Sequence, residues 1–391
     1  MKFIHISDLH LGKRLGEFRL LDEQSAILDW ILQTAREHCA DGILLAGDIY
    51  DRSVPPVEAV TLFDTFLTHL NEAGIPLFAI SGNHDSAERI AYGSHILGEC
   101  GIYLSPAFDG QVRCIPLEKD GERVCIHLLP FLRPIHVTTV YGMQESENEE
   151  EPTLSRMTYT EAMAEVISRM VLAEDCTHIL LCHQFITGSL RSESEEVPLV
   201  GTLDAVDAAV FAPFDYVALG HLHRAQAVTD TIRYTGSPYP YAFSETEEKG
   251  CLLVDTGPGG VHCIFLPIPI GLTRTLSTLS GPYDTLVSRA FRENCTCCED
   301  YLKILLEEDT PIPDAMAKLS VVYPRIVQLA YRRSADAGEE LPDTDLAPAE
   351  NLSPEAVFAA FFARQNETEL SAEDEEYIRT LLEEGGNVCG R

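Results

Sequence analysis

The sequence predicts an α/β fold with a largely parallel sheet, followed by a small α+β domain and a helical tail. Short apolar runs such as KFIHIS and GILLAGD alternate with segments of helical spacing, which is typical of strands joined by helices. The alternation restarts on a smaller scale near residue 271. We therefore expect a large domain over 1–270, a capping domain over 271–335, an acidic linker over 336–352 and a helical tail over 353–391.

Each element has its own signal. In the large domain, strands are predicted at KFIHIS, GILLAGD, IPLFAISGN, THILLCH and FDYVALGH, and helices over 21–39, 57–70, 86–97 and 158–173. A strand pair is predicted over 111–130, with its turn at Lys119-Asp120-Gly121. In the capping domain, strands are predicted over 272–278, YLKILLE and RIVQLAYR, with a helix over 283–293.

The composition places the chain among cytoplasmic globular proteins. Its 391 residues contain no apolar run long enough to cross a membrane, and the first residues do not form a secretory signal. Three of the 12 cysteines, Cys125, Cys182 and Cys251, lie in apolar runs, which predicts buried free thiols. Another three, Cys295, Cys297 and Cys298, lack the spacing of a zinc site and are taken as incidental.

The net charge of −34 argues, taken alone, against a protein that binds nucleic acid.

Several predicted strands end in side chains that can bind metal. These are Asp8 and His10, Asp48, Asn83, His183, and His221 with His223. Ligands gather at the carboxyl ends of strands in an open α/β sheet, so we expect all of them at one edge. Carboxylate, amide and imidazole donors suit two manganese or iron ions better than calcium or magnesium, with Asp48 able to bridge them. Zinc is the weaker alternative, because no thiolate is included.

Taken singly, each signal has a simpler interpretation. A histidine at a strand end is usually a core or surface residue, Asp85 or Ser86 fits a helix N-cap, and the neighbouring glycines relieve strain. Five such groups in order, each after an apolar strand, favour the metal site.

Together these segments resemble the calcineurin-like metallophosphoesterases, which carry D-x-H, G-D-x-x-D, G-N-H-D, a later H and G-H-x-H. The resemblance implies layered β-sheets flanked by helices. It implies one metal held by Asp8, His10, Asp48 and His223, and a second held by Asp48, Asn83, His183 and His221. His84 would contact the phosphate and assist the leaving oxygen, while Asp51 would orient the site from behind the ligands.

Within this superfamily the segments HISDLHLGK, GDIYDRSVPP, HLLPFLRP (127–134) and TGSPYPYAFSE (235–245) resemble the SbcD nucleases. That resemblance implies manganese-dependent cleavage of DNA in repair and recombination, exonucleolytic at duplex ends and endonucleolytic on single strands or hairpins. It also implies the ATPase partner SbcC, in a heterotetramer with two copies of each subunit. The nuclease subunits would form a homodimer through helices near 57–70 and 87–97.

The tail offers a separate reason to expect a partner. Two short helical segments carry apolar stripes, and such apolar faces are stable only when they pack against another surface. That surface is either the chain's own domain or the SbcC coiled coil. We favour the coiled coil. The stripe residues expected to bind the partner are Phe358, Phe361, Phe362, Ile378, Leu381 and Leu382.

Basic residues close in sequence to the metal motifs form a candidate DNA rim, although each one fits an ordinary surface charge equally well: Lys13, Arg14, Arg52, Arg89, Arg133 and Arg224. The alternatives to a nuclease are a small-molecule or cyclic-nucleotide phosphodiesterase, a protein phosphatase, and a non-catalytic scaffold that retains the metal site. A phosphatase typically carries G-N-H-E, whereas this chain has Asp85.

Overall fold

The structure, a computed structural model, describes residues 1–142, 157–192, 194–195, 205–257, 259–308 and 310–332. The predicted linker and helical tail lie outside these residues, and so do the partner-binding residues expected there: Phe358, Phe361, Phe362, Ile378, Leu381 and Leu382. None of the described helices combines the length and the apolar character that crossing a bilayer requires.

The strands, in chain order, are β1 (Lys2–Ile6), β2 (Arg14–Leu15), β3 (Phe18–Arg19), β4 (Gly42–Ala46), β5 (Leu77–Ile80), β6 (Ile102–Leu104), β7 (Arg113–Lys119), β8 (Glu122–Leu128), β9 (Thr177–His183), β10 (Tyr216–Gly220), β11 (Gln226–Ala227), β12 (Ile232–Tyr234), β13 (Gly250–Asp255), β14 (His262–Pro267), β15 (Leu276–Gly281), β16 (Tyr301–Leu306) and β17 (Ile326–Tyr331). The helices are α1 (Leu21–Glu37), α2 (Val57–Ala73), α3 (Ala87–Ile90), α4 (Ser94–Gly98), α5 (Pro134–Val140), α6 (Tyr159–Ser168), α7 (Tyr283–Leu286), α8 (Arg289–Asn294) and α9 (Ala315–Ser320).

Two six-stranded sheets form the large domain. The first has the order β14-β13-β1-β4-β5-β6, in which β1, β4, β5 and β6 are parallel. The second has the order β11-β12-β10-β9-β8-β7, in which β12, β10, β9 and β8 are parallel. The largely parallel arrangement expected from the strand pattern is present in both sheets, and the layered sheets implied by the family resemblance are confirmed.

The sheets pack face to face between two layers of helices. Along β1, Phe3 points into the apolar layer between the sheets, while Ile4 packs in the layer that contains α1 and α2. Along β9, Leu181 faces the other sheet and Leu180 packs in the layer that contains α6. Burial on both faces explains why these strands are continuous apolar runs.

Two helix predictions need correction because each helix is interrupted. The helix expected over 86–97 is split into α3 and α4 at Gly93, whose φ of 72° ends the first turn. The helix expected over 283–293 is split into α7 and α8, and the Ser288 side chain caps α8 by accepting from the Phe291 amide.

A three-stranded parallel sheet, β15-β16-β17, follows the large domain and buries its own apolar cluster against α7 and α9. It touches the large domain through Arg274, which donates to the buried carboxylate of Glu23 at 2.8 Å. The Tyr239 hydroxyl donates to the backbone oxygen of Arg274, and Phe18 packs against Tyr301.

Candidate metal centre

Loops at the carboxyl ends of five strands bring together all seven predicted ligands. Both sheets contribute, since β1, β4 and β5 belong to the first and β9 and β10 to the second. The edge expected from the sequence is thus shared between two sheets. The residues gathered there are Asp8, His10, Asp48, Asn83, His183, His221 and His223.

The first group of donors lies around His10. Its Nε2 atom is 3.0 Å from Nε2 of His223. Asp8 completes a cluster with these two, in which the possible ligand atoms all lie within 4.8 Å of one another. All three side chains are buried.

The second group lies around Asn83. Its Oδ1 atom is 3.0 Å from His183 Nε2 and 2.9 Å from His221 Nδ1. The two groups meet at Asp48, whose Oδ2 atom is 3.4 Å from His183 Nε2 and 3.7 Å from His10 Nε2. A carboxylate in this position can bridge two cations.

The hydrogen bonds and pKa values of the histidines leave ring nitrogen atoms available to bind cations. His183 Nδ1 lies 2.8 Å from the backbone oxygen of Ala46, which can only accept, so Nε2 faces the cluster. Burial lowers the pKa of His221 to about 3 and lowers that of His10 well below its usual range, which leaves neutral imidazoles with free lone pairs.

His183 shows that the cluster needs positive charge. Burial alone would lower its pKa, but the carboxylates of Asp48 and Asp8 outweigh burial and raise the pKa to about 9. Without metal, a proton on His183 balances the buried carboxylates. A cation would take over that role, so the residues present fit a dinuclear centre.

Backbone strain is concentrated at the ligands. Of the eight non-glycine residues with positive φ in the described part of the chain, four are predicted ligands: Asp8 (53°), His10 (43°), Asp48 (49°) and His221 (98°). Positive φ is unfavourable for such residues and persists where surrounding structure enforces it, often at functional sites.

Gly82 allows the loop after β5 to approach the loop after β4, and Gly220 allows β10 of the second sheet to approach β4 of the first. A Cβ atom on Gly82 would lie 2.1 Å from Oδ1 of Asp48, and one on Gly220 would lie 1.9 Å from the backbone oxygen of Ala46. Neither position has room for a side chain, so these glycines are needed for packing.

His84 lies at the open side of the cluster. Its amide donates to Asp48 Oδ1 at 2.9 Å, its Nδ1 lies 3.0 Å from the backbone oxygen of Asp51, and its Nε2 is 3.9 Å from Asp48 Oδ2. Its side chain is 18% exposed, against 3% or less for Asp48, His183 and His223, so it can reach a bound substrate. Asp51 lies behind the cluster, with Oδ1 3.8 Å from His10 Nδ1.

Asp85 has a role that the sequence did not reveal. Its carboxylate accepts from the backbone amides of Ile49, Tyr50 and Gly82 at 2.9–3.0 Å, which ties the loop after β4 to the loop after β5. Burial and the nearby Asp48 raise its pKa to about 6 against the lowering effect of these amides. Of the two residues expected as a helix N-cap, Asp85 or Ser86, it is Ser86 that occupies the N-cap position of α3.

Gln24, on α1, holds the loop after β1. Its side-chain amide donates to the backbone oxygens of Leu9 and His10 at 3.2 and 2.8 Å, and its Oε1 accepts from the Gly12 amide at 3.0 Å. The Tyr241 hydroxyl donates to the same Leu9 oxygen at 2.5 Å. Gln24 gave no sequence signal, since a polar residue on an amphipathic helix is ordinary.

A buried polar network surrounds His223. Its amide donates to Glu195 at 2.7 Å, and its Nδ1 lies 2.6 Å from the Ser194 hydroxyl. Ser194 also contacts Glu245, which pairs with Lys249 at 2.5 Å. These residues hold the His223 ring with Nε2 toward His10. Of the four, sequence reasoning named only Glu245, as part of TGSPYPYAFSE.

The candidate DNA-binding residues differ in how exposed their side chains are and in whether they form ion pairs. Lys13 is largely buried and pairs with Asp51 at 2.8 Å, while Arg14 is exposed and donates to the backbone oxygen of Glu17 at 2.5 Å. Arg52 has an exposed side chain 3.6 Å from Asp51, and Arg89 is exposed on α3. Three of these four residues therefore present exposed charge, and Lys13 is instead committed to an ion pair beside the metal centre.

Solved structures similar to this chain include three that differ widely from it in sequence. A dimetal phosphatase from Danio rerio is 12% identical, with 69% of this chain and 99% of that one covered and a TM-score of 0.39. TT1561 of Thermus thermophilus is 14% identical, with coverage of 68% and 98% and a TM-score of 0.36. Yfce, a phosphoesterase from E. coli, is 12% identical, with coverage of 65% and 88% and a TM-score of 0.25. Likenesses this weak support no conclusion about function.

Two family models match the chain itself. Residues 1–225 match the calcineurin-like phosphoesterase model, and this matched range includes every predicted ligand. Residues 272–366 match the SbcD_C model, described as the type 5 capsule protein repressor C-terminal domain, and this pair of matches is consistent with an SbcD-type subunit. Because the first match covers more than half of the chain and the ligand cluster fits two divalent metals, the chain belongs to the calcineurin-like phosphoesterases, a family of dinuclear-metal hydrolases.

Proposed function

We propose that this chain is the nuclease subunit of an SbcD-type complex and hydrolyses DNA phosphodiesters. The proposed activities are 3′–5′ exonuclease at duplex ends and endonuclease on single strands and hairpins, in DNA repair and recombination. One observation carries the proposal: a full set of seven metal-capable side chains precedes, on the same chain, a domain that matches the SbcD_C model.

The chemistry follows from the positions of the side chains. Two divalent cations, when bound, neutralise phosphate charge and lower the pKa of water between them. The chain's residues fix that arrangement: Asp48 lies between the two donor groups, and His84 lies at the exposed rim where a phosphate oxygen would arrive. An imidazole there can donate a hydrogen bond to the phosphate or a proton to the leaving oxygen.

Manganese is the proposed metal. The donors are two carboxylates, one amide oxygen and four imidazoles, and no thiolate is among them. Such a set suits manganese or iron better than magnesium or calcium, which favour oxygen donors alone.

The acidic net charge is compatible with a DNA substrate if a partner makes many of the contacts that bind DNA. We propose that SbcC is that partner, in a complex with two copies of each subunit, and that residues Phe358, Phe361, Phe362, Ile378, Leu381 and Leu382 contact it. On this chain, Arg14, Arg52 and Arg89 would provide local positive charge, with Lys13 behind them.

A second copy of this chain is the other proposed partner. Apolar side chains are exposed on and beside α2 and α4, including Val57, Tyr92 and Ile96 at 76–86%. These are the segments through which the family resemblance implies a homodimer, and exposed apolar side chains there fit an interface with a second copy. Light scattering on the wild type and Tyr92→Glu tests this: a dimer that becomes a monomer supports it, and a monomeric wild type excludes it.

The deciding experiment measures cleavage of end-labelled linear duplex and hairpin DNA with manganese, with and without SbcC and ATP. Asp48→Asn serves as the inactive control, because it replaces the carboxylate between the two donor groups by a neutral amide. Cleavage of DNA by the wild type but not by Asp48→Asn supports the proposal. If the wild type hydrolyses a generic aryl phosphodiester but leaves DNA intact in every condition, the chain is a small-molecule phosphodiesterase and the nuclease assignment is wrong.

A further inference from the structure

A second cluster of metal-binding side chains lies on the second sheet, far from the first. Cys125, Cys176 and His178 place possible ligand atoms within 4.8 Å of one another. His178 and the ligand His183 are five residues apart on β9, roughly 17 Å along the strand. Since the seven donors of the candidate metal centre contain no cysteine, the two sites differ in both place and chemistry.

Sheet register brings these residues together. Cys125 on β8 is paired with His178 on β9 in a parallel ladder. Cys176 lies just before β9 begins, and its sulfur is within 4.8 Å of the possible ligand atoms of the other two residues. Cys125 and His178 are buried and Cys176 is half-buried, so the cluster is partly shielded from solvent.

The hydrogen bonds of His178 fix which of its ring nitrogens can bind a cation. Its Nε2 atom lies 2.9 Å from the backbone oxygen of Ala173, which can only accept, so Nε2 carries the hydrogen. The Nδ1 atom therefore holds the lone pair, which accepts from Nε2 of His127 at 3.0 Å in the metal-free protein. A cation would take the place of that hydrogen bond, and the Ala173 carbonyl would support the ring as backbone carbonyls support metal-bound histidines.

A further thiol lies on the neighbouring strand. Cys114, on β7, is exposed and is paired with His127 of β8, two positions along that strand from Cys125. Cross-strand partners, and residues two positions apart on a strand, point to one face of a sheet. Cys114 therefore lies on the same face as Cys125.

We propose that Cys125, Cys176 and His178 bind a zinc ion, and that the side chain of Cys114, which lies outside the 4.8 Å cluster, turns toward the ion as the fourth ligand. Three thiolates and one imidazole form a common tetrahedral set for structural zinc. With Zn–S bonds of about 2.3 Å, the sulfurs of such a site lie roughly 3.8 Å apart, which is within the spacing of the cluster. The ion links β7, β8 and the start of β9, and each thiol releases its proton on binding.

The sequence gave no sign of this site, because its ligands are spread over the 65 positions from Cys114 to His178 and lack the local pairs of a zinc motif. The prediction that Cys125 is a buried free thiol is the one that the proposal replaces. The structure supplies what the sequence lacks, namely the register of three adjacent strands.

Cobalt substitution tests the site on the full-length chain. Cobalt(II) bound by thiolates gives an intense near-ultraviolet charge-transfer band that imidazole and carboxylate ligands do not give. We expect this band in the wild type and its loss in Cys125→Ser and Cys176→Ser. Cys251→Ser is the matched control, since Cys251 is buried in β13 outside the cluster, and it should keep the band. Asp48→Asn should keep it too.

A second measurement avoids variants that fail to fold. Alkylation of the wild type with iodoacetamide, mapped by mass spectrometry, should be slowed by zinc at Cys176 and Cys114 but not at the exposed Cys39. The proposal is overturned by absence of the band in the wild type, by its survival in both cluster variants, or by a Cys125–Cys176 disulfide in place of metal.

Discussion

The backbone oxygen of Asp51 lies 3.0 Å from Nδ1 of His84. A carbonyl oxygen can only accept, so His84 carries a hydrogen on Nδ1, and its Nε2 atom is the one that faces the cluster. The loop after β4 thus sets the orientation of an imidazole that belongs to the loop after β5. This Nε2 atom is 3.9 Å from Asp48 Oδ2, so it lies next to the carboxylate shared by the two donor groups.

Replacing His84 by glutamine should abolish most turnover without removing the metals. Glutamine can still donate a hydrogen bond but cannot transfer a proton, so we expect kcat to fall about 10²- to 10⁴-fold. Metal content should stay at the wild-type value, because the seven predicted ligands are intact. Activity on an aryl phosphodiester and elemental analysis measure the two quantities. Equal loss of metal and activity would contradict the role and make His84 a structural residue.

The ligands could be predicted from sequence because each one follows an apolar run that could only be a buried strand. His183 ends THILLCH, and His221 follows FDYVALG, so their placement needed no knowledge of long-range packing. The division into two sheets could not be predicted in the same way. Strand order depends on contacts such as β1 with β13, which lie some 250 residues apart and carry no local signal.

Gly82→Ala should disable the metal centre through a steric effect. The added methyl group would lie 2.1 Å from Oδ1 and 2.4 Å from the backbone nitrogen of Asp48, so the carboxylate must move. We expect metal affinity to fall about 10- to 100-fold, by analogy with loss of ligand support. Gly98→Ala is the control, since its methyl group would meet only Arg113 at 3.5 Å. Isothermal titration with manganese compares them, and equal affinities would exclude the clash.

Gln24→Ala should destabilise the fold and loosen the loop that carries Asp8 and His10. It removes the acceptor of the Gly12 amide and one of the two donors to each of the Leu9 and His10 oxygens. We therefore expect a loss of about 1–3 kcal/mol in the free energy of unfolding. Gln33→Ala, on the exposed face of the same helix, should change it by less than about 0.5 kcal/mol. Urea unfolding of both variants measures the difference, and similar midpoints would show that Gln24 is dispensable.

Gln24 and Asp85 show why the supporting residues were missed. A predicted ligand is recognised by its own position at a strand end, whereas a supporting residue is recognised only by its partners. The partners of Asp85 belong to residues 49, 50 and 82, and those of Gln24 to a loop that precedes it by about 12 residues. In the sequence, Asp85 before a helix is indistinguishable from an N-cap.

Asp85→Ala should separate the two loops that Asp85 joins. Three backbone amides, of Ile49, Tyr50 and Gly82, would lose their acceptor in a buried place, so we expect the free energy of unfolding of the metal-free chain to fall by about 3–5 kcal/mol. Asp85→Asn keeps one oxygen but turns an NH2 group toward an amide, so its loss should be about half as large. Asp109→Ala, which frees a single exposed amide at Gln111, is the control and should cost less than about 0.5 kcal/mol.

Urea unfolding with and without manganese measures these variants. Manganese should stabilise Asp85→Ala less than the wild type, because Asp48 belongs to the loop that moves and cations then bind more weakly. The opposite order, with Asp85→Asn less stable than Asp85→Ala, would mean that the NH2 group is worse than no acceptor at all. The energetic role of Asp85 would then lie in excluding a donor from between the loops, and the three hydrogen bonds would contribute little.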